Sequence, residues 1–188
     1  MFNNIFNRLA GLVFKPAVTW NRLSEEEEDK EVFLSRYLYP LIGLITLAAF
    51  IGVLFSRKEF SFEIALKSAI KALISNMGGY FLAVHLMGEL WRSVFHRQRD
   101  TNRWYYFVGY ASALMFALNI LLALMPEFFF LRAAVFYTVY IIWEGATVYM
   151  HVQEQERLKF SACTSAVMIV TPLAIDYLIF LMMPGLRL

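Results

Sequence analysis

The sequence predicts an all-α fold: a polytopic transmembrane helical bundle with five membrane spans and a short N-terminal amphipathic helix. Three observations predict it. Five apolar runs, roughly 38–56, 72–91, 104–125, 130–150 and 161–183, each approach the ~20 residues an α-helix needs to cross a hydrocarbon core. Of the 188 residues, 60% are hydrophobic, against ~45–50% in soluble domains. Lys and Arg sit mostly in short segments between the runs, which is a membrane-topology pattern and not a nucleic-acid footprint.

Residues 2–14 place Phe2, Ile5, Phe6, Leu9 and Val13 on one helical face, with Asn3, Asn4, Asn7 and Arg8 on or near the other. That pattern predicts an amphipathic helix on the membrane surface, interrupted at Pro16. Residues 1–14 lack a leading positive cluster and a small-residue cleavage site, so no secretory signal is expected. Ser24 before Glu25-Glu26-Glu27-Glu28-Asp29 reads as an N-cap with acids in the first turn, where the helix dipole favours them. The short helix that follows leads through Arg36 into span one. Residues 1–36 thus read as a cytoplasmic segment, and 37–188 as the membrane domain.

Tyr37 and Tyr39 stand where an interfacial aromatic belt is expected, and Arg57 and Lys58 close span one. Ser61 is a candidate cap for the next helix. Met77-Gly78-Gly79-Tyr80 interrupts span two with paired glycines, which permit close helix contact or a local break. Trp91-Arg92 ends that span. In the polar segment 92–103, Arg92, Arg97, Arg99 and Arg103 are flanked by Trp91, Trp104, Tyr105 and Tyr106, and anionic lipid head groups are their expected partners. Met125-Pro126-Glu127 turns the chain into span four, residues 153–159 separate spans four and five, and Pro172 should kink the fifth. Cys163 is the single cysteine, which excludes an internal disulfide.

With the N-terminus inside, inner segments hold Arg8, Lys15, Arg22, Lys30, Arg36, Arg92, Arg97, Arg99, Arg103, Arg157 and Lys159. Outer segments hold Arg57, Lys58, Lys67, Lys71, Arg132 and Arg187, so the count is eleven against six. The excess predicts N-in and, with five spans, C-out.

A charge in hydrocarbon costs ~2.5–3.5 kcal/mol even on lenient insertion scales, so ionisable residues inside spans usually face a partner or a cavity. His85 and Glu89 share one helix face, and Glu144 and His151 share another. In the N-in topology His85 and Glu144 both lie ~9 Å from the inner boundary, at 1.5 Å per residue. If spans two and four are neighbours, two His/Glu levels stack across one interface. That set has the ligand chemistry for a divalent metal such as zinc. It equally suits a proton relay, because a histidine beside a carboxylate titrates near neutral pH. The plainer reading, which we prefer, has Glu89 and His151 reaching interfacial water, and His85 and Glu144 bonded to backbone or tyrosine groups. Asp176 follows Thr171-Pro172 by about one turn, on the same outer side as Lys71 and Asn76, so a structural Lys71–Asp176 pair is expected. Asn119 reads as helix–helix glue. The sequence holds no Gly-x-Ser-x-Gly, Cys-x-x-Cys or phosphate loop, and no nucleophile–base constellation, so an enzyme is not expected.

The N-terminal amphipathic helix, Lys15-Pro16-Ala17-Val18-Thr19-Trp20, the acidic stretch and five spans together resemble a prokaryotic member of the Yip-one family of small polytopic membrane proteins. The resemblance implies an integral membrane protein without enzymatic activity. Eukaryotic relatives are associated with Rab GTPases, vesicle traffic and organisation of the Golgi and endoplasmic reticulum. Their long cytosolic N-terminal region is lacking here, and a bacterial inner membrane is the expected location. The expected role is to organise membrane and partner proteins. The alternative is a small transporter or channel subunit that moves protons or a metal ion, which a five-span unit would perform as a homo-oligomer.

Overall fold

The computed structural model describes residues 2–26, 28–56, 61–97 and 101–182, and every regular element among them is helical. Glu27, Arg57, Lys58, Arg99, Arg187 and the end of the fifth run at residue 183 lie outside the described residues.

The amphipathic pattern forms α1 (Phe2–Phe14). Its apolar face is turned into the protein: Ile5 and Leu12 are buried, and Leu9 and Val13 pack on the core, while Phe6 is exposed. Pro16 opens α2 (Pro16–Glu25) in its first turn, where a missing N–H leaves nothing unpaired. Ser24 is not an N-cap. It lies in the last turn of α2 and its Oγ donates to the Asn21 carbonyl at 2.7 Å. Glu25 ends α2, and Glu26, Glu28 and Asp29 are non-helical instead of forming a first helical turn.

Next come α3 (Lys30–Phe33), a π-helical stretch (Leu34–Leu38) and α4 (Tyr39–Ser56), continuous as one span-capable helix over Lys30–Leu54. Tyr37, expected at the interface, is instead buried against Phe33 and Tyr110, whereas Tyr39 is exposed. Helix α5 (Phe62–Ser93) starts after Ser61, which makes no side-chain cap bond, and runs unbroken through Gly78 and Gly79. The paired glycines therefore serve close contact. A methyl on Gly79 would sit 3.0 Å from the Pro172 backbone.

Span three is a bent pair, α6 (Thr101–Ala111) and α7 (Ala113–Leu124), meeting at 45° around Ser112. The expected turn follows, with the Phe128 N–H donating to the Met125 carbonyl at 3.2 Å. A 3-10 segment (Pro126–Tyr137) then continues into α8 (Thr138–Val148). Finally α9 (Glu154–Met182) begins inside the stretch expected to be a linker and passes through Pro172.

Helix α4 packs between α5 and α7, and α9 packs against both α5 and α8. Helix α2 lies on α8, and α1 on α2 and α7. At the α4–α7 contact the backbones meet at Gly52, where any Cβ would overlap the Ala123 carbonyl. Trp20, Phe33, Tyr37, Trp104, Phe107 and Phe160 are fully buried and fill the core at one end of the bundle.

Among the described residues three helices, Lys30–Leu54, Pro126–Val148 and Glu154–Met182, are long and apolar enough to cross a membrane, and the bent pair makes four. Five such runs were expected, and these helices account for three or four of them. Helix α5 has the length, but Ser75, Asn76, His85 and Glu89 dilute its apolar character. Large apolar side chains stand exposed on the 3-10 segment (Phe129, Phe130, Phe136) and on α9 (Leu173, Tyr177, Leu178, Leu181). A contiguous apolar exterior of this kind suits lipid better than water.

Candidate functional site

Polar side chains gather at the two ends of the bundle. At the Trp20 end, the indole is 0% exposed and its Nε1 donates to the Ile141 carbonyl at 2.9 Å. The ring stacks on Phe107 (centroids 5.1 Å apart), meets Tyr110 edge-on and tilts against Tyr149. Gly145 makes the room, since a methyl there would lie 2.6 Å from the indole. Thr19 is also buried and donates its hydroxyl to the Lys15 carbonyl at 2.9 Å. The Pro-x-x-Thr-Trp segment is thus a tether that holds the N-terminal helices in the bundle.

Arg8 closes over this tether. Its Nη2 donates to Glu26 Oε2 at 2.7 Å, and its Nη1 to Glu28 Oε2 at 2.9 Å and to the Tyr110 hydroxyl at 3.0 Å. The Tyr106 hydroxyl donates to the Glu28 carbonyl. Burial works against the Arg8 charge, but Tyr110, Glu28 and Glu26 outweigh it and raise the guanidinium pKa above its ordinary value. The acidic connection is therefore ordered by an arginine 18 and 20 residues before it. Beside it opens a recess of about 620 Å³, lined by Ser24, Glu28, Asp29, Arg103, Tyr106 and His151 among others. Neither Arg8 nor the tyrosines stood out in the sequence, because their pairing spans up to 102 residues and leaves no local signal.

The His/Glu set behaves differently. His85 is exposed on α5, and Glu89 pairs with Arg92 at 3.0 Å on the same helix. Glu144 is half-buried on α8. His151 is exposed just beyond α8, with φ 51°, and faces the recess. Helices α5 and α8 are not a packed pair among the described residues; α9 adjoins both. Among the described residues no three His, Cys, Asp or Glu side chains come together to hold a metal ion. Arg97, expected at lipid head groups, binds Glu156 Oε2 at 2.9 Å and lies over the Trp91 ring.

At the Lys71 end the expected pair is present: Lys71 Nζ lies 3.1 Å from Asp176 Oδ2. It is half-buried, with 25% and 45% of the two side chains exposed. The Ser75 hydroxyl donates to Asp176 Oδ1 at 3.1 Å. The Asn119 amide donates to Asn76 Oδ1 at 2.7 Å, joining α7 to α5 as its glue role predicted, and the Asn76 amide donates to the Ala72 carbonyl. These groups border a cleft of about 390 Å³ between α4, α5, α7, the 3-10 segment and α9. Arg132 and Ser75 also line it. Neither was singled out as a site residue in the sequence, where Arg132 counts among the outer cations although it lies inside the run 130–150.

A family model, the Yip1 domain, matches residues 10–175. No curated protein and no solved structure matches the chain. The matched stretch takes in the Trp20 tether and every helix from α2 to α8, and reaches most of the way along α9. The chain belongs to the Yip1 domain family, and its apolar helices make it a membrane protein of that family.

Proposed function

We propose that this protein is a non-enzymatic membrane organiser whose N-terminal end presents a fixed docking face to protein partners. The observation that carries this reading is the tether. Trp20 and the Arg8–Glu28 clasp join α1, α2 and Glu28 to the bundle beside the recess of about 620 Å³. A pre-organised polar face loses little conformational freedom when a partner binds.

In this reading the Trp20 end faces the cytoplasm, as the excess of inner Lys and Arg favours, and the location is a bacterial inner membrane. Helix α5 is a fifth crossing. Its 32 residues exceed the ~30 Å hydrocarbon thickness at 1.5 Å each, and Ser75 and Asn76 near its middle are buried in the bundle.

The test is site-specific photo-crosslinking in cells from Ser24 and Asn102, which border the recess, with Phe129 at the opposite end as control. Discrete adducts from the recess positions, lost in Trp20→Ala, are expected. The rival is a small transporter that uses the Lys71–Asp176 cleft. Absence of adducts, together with pH-dependent flux in liposomes that Asp176→Asn abolishes, would replace the organiser with that transporter.

A further inference from the structure

We propose that the cleft at the Lys71 end binds the phosphate head group of an anionic membrane lipid, through Arg132 with Lys71 in support. The argument starts from charge. Asp176 has both oxygens engaged, Oδ2 by Lys71 and Oδ1 by the Ser75 hydroxyl. Its negative charge is thereby matched within the cleft. Arg132 lines the same cleft, is exposed, and has no hydrogen-bond or ion-pair partner among the described residues. Lys71 keeps donors beyond the one directed at Asp176.

The cleft therefore carries a net positive charge and an excess of donors. Arg132 offers five N–H groups in a fixed fork and no acceptor. Arg132 counts among the outer cations, where a guanidinium at head-group depth meets anionic phosphates. Phosphate oxygens suit the fork because two of them accept parallel N–H bonds. A metal cation is disfavoured, since two cationic side chains already face the space.

The walls decide what the phosphate is attached to. Met115, Leu118, Leu122 and Ile169 line the same cleft and suit an acyl chain. The volume of about 390 Å³ falls within the ~300–1,000 Å³ of typical small-molecule sites. A lining that combines polar donors with apolar side chains matches an amphiphile, whereas inorganic phosphate would leave the apolar side chains unused.

Delipidated protein in neutral detergent is titrated with phosphatidylglycerol, diacylglycerol or inorganic phosphate. Retention is read by native mass spectrometry and the thermal midpoint is followed in parallel. Phosphatidylglycerol should be retained and should raise the midpoint. Arg132→Gln should reduce that retention roughly tenfold, as loss of charge-assisted hydrogen bonds does, with the lipid-free midpoint unchanged. Arg22→Gln, at an exposed arginine of the other end, should retain the lipid as wild type does. The proposal is overturned if Arg132→Gln binds as wild type, if Arg22→Gln weakens binding equally, or if diacylglycerol is retained as well as phosphatidylglycerol. A midpoint rise from inorganic phosphate equal to that from lipid would assign the site to free phosphate and overturn the lipid.

Discussion

Replacing Trp20 with alanine should release the N-terminal helices while the rest of the bundle stays folded. The indole is 0% exposed, hydrogen-bonded to Ile141 and in ring contact with Phe107, Tyr110 and Tyr149. Truncating a buried tryptophan to alanine costs ~3–5 kcal/mol. Within that, the N–H bond accounts for ~1 kcal/mol and each favourable ring pair for ~0.5–1.5 kcal/mol. Trp20 is the largest of the four buried side chains of α2, the others being Pro16, Thr19 and Leu23. The loss therefore falls on the local opening of α1 and α2. Each ~1.4 kcal/mol is a factor of ten, so amides of residues 16–25 should exchange about two to three and a half decades faster. Trp20→Phe keeps most ring contacts and loses the hydrogen bond, so its acceleration should be about one decade. Hydrogen exchange read by mass spectrometry on detergent-solubilised protein measures both. If Trp20→Ala leaves exchange of residues 16–25 within about threefold of wild type, the indole is not the tether. Uniform acceleration through α5 and α9 would equally refute a local one.

Gly145→Leu attacks the same contact from α8, and overpacking against the indole should cost ~1–3 kcal/mol in thermal unfolding; an unchanged midpoint would mean that α2 shifts without loss. Arg8→Ala removes partners of Glu26, Glu28 and Tyr110 and should cost ~1–2 kcal/mol, less in high salt; a salt-independent loss would point to lost packing instead. A double-mutant cycle of Lys71→Met with Asp176→Asn should give a coupling of ~0.5–1 kcal/mol. The pair is too exposed, at 25% and 45%, for the ~3–5 kcal/mol of a fully buried one. Zinc titration by calorimetry should show no tight site that depends on both His85 and Glu144, because α5 and α8 are not packed together among the described residues; a site lost in both His85→Ala and Glu144→Gln would place those two side chains together.

Features that depend on neighbouring residues, or on depth, were readable before the fold was known. The helix over residues 2–14 follows from its own periodicity, and Pro16 marks its end. Lys71 and Asp176 met because both lie at the same depth on helices that pack, with Gly79 against Pro172 bringing those helices close. The same depth argument failed to unite His85 with Glu144. Depth says nothing about which helix stands beside which, and α9 took the place next to both α5 and α8. Ser24 was misread for a related reason. A serine before a run of acids is a sound capping signal, but Arg8 draws Glu26 and Glu28 into a non-helical connection that local propensity does not describe.

The two ends of the bundle differ in how their charges are matched, and this separates what each end can do. At the Trp20 end, Arg8 answers Glu26 and Glu28, Arg97 answers Glu156, and Arg157 turns to Glu154 and the Trp143 carbonyl. Such internal matching fixes shape, and a partner meeting this face finds order already established. At the Lys71 end the cleft holds one carboxylate, which pairs with Lys71, and Arg132 is left unanswered among the described residues. An excess of donors over acceptors argues for an anionic ligand that completes it. The organiser reading rests on the first end and the lipid reading on the second. Loss of crosslinks at Ser24 would leave the cleft chemistry intact, and loss of lipid at Arg132 would leave the Trp20 tether intact.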